Sequence, residues 1–480
     1  STAWVQVGAD IDGEAGGDNS GEAVSLSADG SRVAVGAHRN DDGAANAGHV
    51  RVFENVGGAW VQLGGDIDGE AGDDYSGFSV SLSAAGDRVA IGAYLNDGNG
   101  ANSGHVRVYE YASSAWSQIG ADIDGEASWD LSGLSVSLSA GGGRVAIGAH
   151  SNDDTGNSAG HVRVYEFVSS TWVQLGADID GEAASDFSGR AVSLAADGAR
   201  LAIAAYGNDA GGADAGHVRV FDYDDLSSSW VQIGVDIDGT VVGGLSGYSV
   251  SLCGDGSRVA IGAPVVNTNA GQVIVWQLSY VPSGEPSGQP TGQPTFGLRD
   301  WMHVGAPIDG EAADDQSGIA VSLSYDGSRV AIGATHNDGF VGPESGHVRV
   351  FEFDSSSGWL QLGGDIDGEA VNDNSGTSVS LSADGGRVAI GSAKNDGVNG
   401  ADSGHVRVYE FESTAWVQVG ADIDGEAGGD NSGQAVSLSA DGSRVAVGAR
   451  LNGDGAANAG HVRVFENVGG AWVQLGGDID

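Results

Sequence analysis

An all-β fold is what this sequence predicts: a β-propeller of four-stranded antiparallel blades, seven blades per ring, with one eight-bladed ring as the alternative. Three observations carry that expectation: a phrase that recurs along the chain, four short alternating stretches within each recurrence, and turn residues dividing them. Tryptophans at Trp4, Trp60, Trp116, Trp172, Trp230, Trp301, Trp359, Trp416 and Trp472 open the phrase. It continues Gly-x-x-Ile-Asp-Gly, Ser-Gly-x-(Ala/Ser)-Val-Ser-Leu, Arg-(Val/Leu)-Ala-(Ile/Val) and usually Gly-His-Val-Arg-Val. Four of the eight spacings are 56 residues, with 58, 71, 58 and 57 as the others, and the longest, 71, holds an insertion.

In the first repeat the four stretches are Ala23–Ser27 (strand A), Arg32–Gly36 (B), His49–Glu54 (C) and Trp60–Gly64 (D). Strand A alternates Val24 and Leu26 with Ala23, Ser25 and Ser27, so one face is bulky and the other small. Ala28-Asp29-Gly30-Ser31 turns the chain, since Asp-Gly tolerates the positive φ of a tight hairpin. Strand B repeats the alternation, with Val33 and Val35 against Ala34 and Gly36. A ring in which each bulky face packs on the next small face follows from this pattern. No segment carries a helical period, and glycine is too frequent for long helices.

Ser76-Gly-Phe78-Ser-Val-Ser-Leu82, followed by Arg88-Val-Ala-Ile-Gly-Ala93, resembles the FG-GAP repeat, the blade unit of integrin α-subunit propellers. Gly262-Ala263-Pro264 is a literal Gly-Ala-Pro. The resemblance covers nearly all of the chain outside 282–300 and implies fold more than function. It also implies a metal loop between strands A and B, which this sequence lacks: Ser27-Ala-Asp29-Gly-Ser-Arg32 holds one carboxylate.

Residues 413–480 repeat 1–68 except at Glu22/Gln434, His38/Arg450, Arg39/Leu451 and Asp41/Gly453. One such offset of 412 residues contains seven blade units, which is the ground for seven per ring. The insertion places Pro282, Pro286, Pro290 and Pro294 at intervals of four, among Ser, Thr, Gly and Gln, a composition that favours extended polyproline II. The expected organisation is therefore 1–281 as the last five blades of one propeller, 282–295 as linker, and 296–480 as the first three blades of the next. Pro-(Ser/Thr)-Gly-Gln runs resemble linkers in large extracellular proteins of stramenopile algae. Ser283, Ser287, Thr291 and Thr295, each beside a proline, are candidate O-glycosylation sites. No Asn-x-Ser/Thr sequon occurs in the chain.

Glycine, at 84 of 480 residues, keeps the chain light, and a net charge of −46 repels nucleic acid and anionic membrane. No apolar run approaches a membrane span. A single cysteine, Cys253, excludes an intrachain disulfide framework. The opening Ser-Thr-Ala-Trp has neither a start methionine nor a signal segment, so the chain reads as part of something longer.

The D-to-A and B-to-C loops should share one face, and most of the acidic residues lie in them. Carboxylates in glycine-bent loops suit Ca²⁺, the one cofactor the sequence points to. The candidate ligands are Asp10, Asp12, Glu14 and Asp18; Asp66, Asp68 and Glu70; Asp122, Asp124 and Glu126; Asp178, Asp180 and Glu182; Asp365, Asp367 and Glu369; and Asp422, Asp424 and Glu426. The same residues also serve as ordinary turn formers and caps. His49, His105, His161, His217, His347, His405 and His461 open strand C, and Gln272 replaces them once. A ring of imidazoles suits metal or acid–base chemistry, but the stronger expectation is that each His bonds a neighbouring Asp or backbone group within its own blade. Arg32 and its equivalents are expected to pair with carboxylates or pack their stems, and the tryptophans to cover blade edges.

Near-identical blades supply no asymmetric nucleophile–base cluster, so catalysis is not expected and no catalytic residue is assigned. The leading expectation is a non-enzymatic extracellular structural protein whose rings assemble with copies of themselves into a fibre, sheath or adhesive surface. The alternative is an integrin-like binding module for a protein or glycan, with an enzyme ranked last. Neither nucleic acid nor membrane insertion is expected.

Overall fold

A computed structural model describes residues 5–6, 11–280, 299–453 and 456–467. They form eight antiparallel sheets arranged as the blades of one propeller. In the first blade the strands are Ala23–Leu26, Arg32–Ala37, His49–Val56 and Ala59–Gln62, in that order across the sheet. A short fifth strand, Ile67–Asp68, returns to pair with the start of strand C, His49↔Asp68 and Val50↔Ile67. The sequence pattern does not reveal that fifth strand, because two residues are too few to show a period.

Each hairpin between strands A and B is built by its own side chains. Asp29 Oδ1 accepts from the Ser27 hydroxyl (2.8 Å), the Ser31 N–H (2.9 Å) and the Ser31 hydroxyl (2.8 Å), and Gly30 supplies φ +66°. Asp326 repeats this with Ser324 and Ser328. Burial acts to raise the Asp326 pKa, but the hydrogen bonds from Ser328 and Ser324 outweigh it and hold the carboxyl below its ordinary value. A depressed folded-state pKa contributes stability above the unfolded value and loses it as the pH falls through the folded value. The destabilisation by Asp326→Ala is therefore expected to be full at neutral pH and to shrink on acidification below about pH 4. Exposure limits it to less than about 1 kcal/mol. Denaturant midpoints of both proteins across pH check this; a gap that widens in acid would contradict it.

The core lies between blades. Ala34, Val50 and Val52 of the first blade pack with Leu82, Val89 and Ile91 of the second, and Ala90, Val106 and Val108 of the second with Leu138, Val145 and Ile147 of the third. The small side chain of strand B thus receives the bulky face of the following blade, as the alternation requires. Strand-B arginines tie the same seam. The Arg144 guanidinium bonds Glu166 (2.9 Å) in its own blade, reaches the Gly198 carbonyl (3.1 Å) in the next, and lies 5.4 Å over the Tyr223 ring. Trp172 and Trp230 donate their indole N–H to the carbonyls of Ile119 and Leu175 of the preceding blade, both at 2.7 Å. These two tryptophans, and Trp416 through the Leu362 carbonyl (2.6 Å), therefore tie neighbouring blades together.

The expectation of seven blades per ring is corrected to eight. Eight A–B hairpins are joined head to tail by backbone hydrogen bonds of 2.8–3.0 Å. The order is Ala28 to Ala84, Ala140, Ala196, Gly254, Tyr325, Ala383, Ala440 and back to Ala28. A second closed circuit runs inside it, from the N–H of each strand-A leucine to the strand-A serine hydroxyl of the blade before, as in Leu82 to Ser25 and Leu26 to Ser437. The eighth blade takes its outer strands from the chain's beginning: Val5–Gln6 pairs with Phe465 and Glu466, and Ile11–Asp12 with His461 and Val462. Ile11, Val462 and Val464 then pack on Val33, Val35 and Phe53 of the first blade. The 412-residue offset counts the units between two near-copies, whereas the ring holds both.

The fifth blade pairs Gln272–Tyr280 with Arg299–His303, in register Tyr280↔Arg299. The proline segment 282–295, with Ser283, Ser287, Thr291 and Thr295, lies outside the described residues, as does Asp10. Among the described residues, no helix is long and apolar enough to cross a membrane.

Candidate functional site

The D-to-A and B-to-C loops do share a face, because they hold each other. In the loop entering the third blade, Ser132 N–H donates to Ser103 O (2.9 Å) and Leu131 N–H to Asn102 O (3.2 Å) of the preceding blade's B–C loop. Asp130 Oδ2 accepts from Glu126 N–H (3.2 Å) and Ala127 N–H (2.9 Å) of its own loop and from Asn152 Nδ2 (3.2 Å) of the third blade's B–C loop. Asp18 does the same with Ala15 and Asn40, and is buried. So do Asp74, Asp186, Asp315 and Asp373 with Asn96, Asn208, Asn337 and Asn395. Asp18 is thus a brace between loops, its bonding capacity used by amide donors.

The other candidate carboxylates of each loop are divided between two seams. Asp66, Asp122, Asp178, Asp365 and Asp422 each accept from a strand-D glutamine four residues earlier, at 2.5–2.7 Å. Asp68, Asp124, Asp180, Asp367 and Asp424 offer their backbone carbonyls to strand-C arginines of the next blade, Arg107, Arg163, Arg219, Arg407 and Arg463. Asp12 does so to Arg51. The glutamates reach further into that next blade. Glu126 Oε1 lies 3.5 Å from Arg163 Nη1 and its Oε2 3.8 Å from His161 Nδ1. Glu14, Glu70, Glu182, Glu369 and Glu426 stand likewise to His49, His105, His217, His405 and His461. The contiguous Asp-x-Asp-Gly-Glu run therefore does not converge on one point.

What converges is a set drawn from separate segments. One ligand atom each from Glu126, Asp154, His161 and Asp178 lies within 4.8 Å of the others; Glu14, Asp42 and His49, and Glu70, His105 and Asp122, form the same kind of group. Glu182, His217 and Asp236, and Glu311, His347 and Asp365, are two more. The sequence reading did not assign Asp42, Asp154, Asp236, Glu311 or the histidines as ligands.

The histidines are not bonded as expected. His161 is fully buried, and neither ring nitrogen has a hydrogen-bond partner; the same holds for His49, His105, His217 and His347. Burial, aided by Arg163, lowers the His161 pKa to about 4, so the ring is neutral at neutral pH. Glu14 is pushed up to about 7 by burial and the neighbouring Asp42, against the pull of Arg51. A neutral imidazole beside two or three carboxylates is a nitrogen–oxygen donor set for a divalent cation.

The seam between the fourth and fifth blades lacks all of this. Thr240 stands for the glutamate, Gln272 for the histidine, Ile274 for the arginine and Pro307 for the aspartate. Gln272 is satisfied, its Nε2 donating to Asp309 Oδ1 at 2.6 Å. That joint replacement was the signal in the sequence that the four positions form one unit.

No family model matches the chain, and no curated protein matches it. Among solved structures it is similar to Kuenenia stuttgartiensis hydrazine synthase, at 12% identity and TM-score 0.45, over 85% of this chain and 98% of that one. It is also similar to a putative 6-phosphogluconolactonase from Bacteroides uniformis, at 13% and 0.46, over 73% and 86%. A third is the periplasmic gluconolactonase PpgL of Pseudomonas aeruginosa, at 15% and 0.46, over 79% and 92%. At these identities the likeness is one of fold. It corrects the expectation that catalysis is excluded. These three chains bear the names of enzymes.

Proposed function

We propose that this chain is an FG-GAP-type propeller serving as an extracellular scaffold, whose rings contact further copies through their acidic loop faces with divalent cations between them. The observation that carries this is the near-equivalence of the blades. It repeats one acidic loop surface around the ring and makes equivalent contacts available to successive copies. At a net charge of −46 such faces repel unless cations lie between them. In this reading the Pro-Ser/Thr segment, which joins two paired strands of the fifth blade, is glycosylated at Ser283, Ser287, Thr291 and Thr295. Negative-stain microscopy of the native material, with and without EDTA, tests the scaffold. We expect polymers with a ring-sized repeat that disperse on chelation; dispersed particles in both conditions would overturn it.

A second reading, recognition of a protein or glycan by the loop face, is favoured by apolar residues among the acidic loops. Phe340 is 96% exposed and Val398 88%, with Val242 and Trp129 also exposed. These side chains break the equivalence of the blades, as a specific binding surface requires. Saturable binding abolished by Phe340→Ser would support it.

A further inference from the structure

We propose that the groups centred on His49, His105, His161, His217 and His347 are transition-metal sites of the zinc class, each formed by a buried imidazole and carboxylates from separate loops. The proposal is independent of whether rings assemble, and it differs from calcium in the loops in both ligands and metal.

Three observations bear on it. The first is the state of the histidines. Each is at most 1% exposed, and both ring nitrogens lack a hydrogen bond. A buried polar atom left without a partner is costly, and native structures rarely tolerate it. Here the same unmet imidazole recurs at seam after seam, with Nδ1 turned toward glutamate Oε2 at 3.6 Å for His49 and 3.8 Å for His105, His161, His217 and His347. These separations are too long for hydrogen bonds. They resemble the spacing of two ligands around a common ion, about 3.3–3.5 Å for a tetrahedron with bonds of ~2.0–2.2 Å. The partly exposed carboxylates need only a small inward rotation.

The second is the donor chemistry. An imidazole nitrogen with two or three carboxylate oxygens suits zinc and its neighbours, whereas calcium takes oxygen sets. The glutamate is already oriented for this role. Its Oε1 faces the strand-C arginine, Arg163 at 3.5 Å in the third blade, which leaves Oε2 for the cluster. Third, the seam at Gln272 loses the glutamate, histidine, arginine and aspartate together. A histidine that only filled space would not be expected to leave with a carboxylate two segments away. Where the side chain does serve structure alone, as Gln272, it is hydrogen-bonded.

The test uses the full chain, stripped with chelator and dialysed at neutral pH. Zinc chloride and calcium chloride are titrated separately by calorimetry, and bound metal is counted after equilibrium dialysis. We expect at least five equivalents of zinc, undisplaced by excess calcium, and loss of one equivalent in His161→Gln, which installs the residue of the fifth blade. Glu126→Gln, on the loop and less demanding of the fold, should lose the same equivalent. Co²⁺ in place of zinc should give the visible bands of a low-symmetry nitrogen–oxygen site, diminished in either variant. Zinc binding unchanged in both variants, displacement by calcium, or no saturable binding would each overturn the proposal.

Discussion

Replacing Gly133 by alanine is expected to destabilise the seam between the second and third blades by about 3 kcal/mol or more, through backbone strain and a clash that reinforce each other. Gly133 has φ +89°, which side-chain-bearing residues rarely adopt. A Cβ there would stand 2.6 Å from the His105 carbonyl oxygen and 3.0 Å from Val106 Cγ2, both on strand C of the preceding blade. Neither neighbour can withdraw cheaply. The carbonyl belongs to the sheet, and Val106 lies in the core shared by the two blades. Gly141 supplies the control. Its Cβ position is open and its φ unexceptional, so Gly141→Ala should be neutral or stabilise by up to about 1 kcal/mol. Urea midpoints compare the two, and hydrogen exchange localises the effect, since blades contact only their neighbours. Equal stability of the two variants would contradict the account of the seam.

The same seam shows what could and could not be read from the chain. Bulky and small positions alternate along strands A and B because every blade buries both faces, so Val33, Val35, Ala34 and Gly36 announce their packing in sequence. The Asp-Gly hairpins are legible for the same local reason. Blade number is a different kind of quantity. It is settled by how the last seam closes, and Ile11 meets Val33 and Val462 through the same contacts that any two neighbours make. No local pattern distinguishes the closing seam from the others, so counting repeats between Glu22 and Gln434 gave seven where the ring holds eight. The candidate ligands were half visible. Glu126 and Asp178 belong to different loops, and only the fold places both beside His161. Reading each acidic loop as one unit assigned to a single ion residues that face two different blades.

The brace between loops gives the second large effect, and the ring contains its own template. Asp130→Gly removes three amide-to-carboxylate bonds and leaves the buried Asn152 amide unmatched, at an expected cost of about 3 kcal/mol. Asn152→Val leaves the buried Asp130 carboxylate short of a donor and also removes the acceptor of the Asp154 N–H, for about 2 kcal/mol. At the entrance to the fifth blade both residues have been exchanged. Gly244 stands at the aspartate position and Val266 at the asparagine position. Val266 is buried, with Cγ2 3.0 Å from where a Gly244 Cβ would be, so an apolar side chain occupies the space that a carboxylate takes elsewhere. The flanking backbone is preserved: Trp129 and Leu131 have φ of +72° and +57°, and Gly243 and Leu245 +69° and +54°. The double variant Asp130→Gly/Asn152→Val should therefore be more stable than the two single costs sum to, with a coupling of at least about 2 kcal/mol. The physical reason is that a polar pair removed whole leaves nothing unpaired, whereas half a pair leaves a desolvated group behind. Unfolding midpoints of the four proteins measure the coupling. Strict additivity would mean that Asp130 and Asn152 hold their loops separately, and that the valine of the fifth blade is not an alternative solution to the same contact.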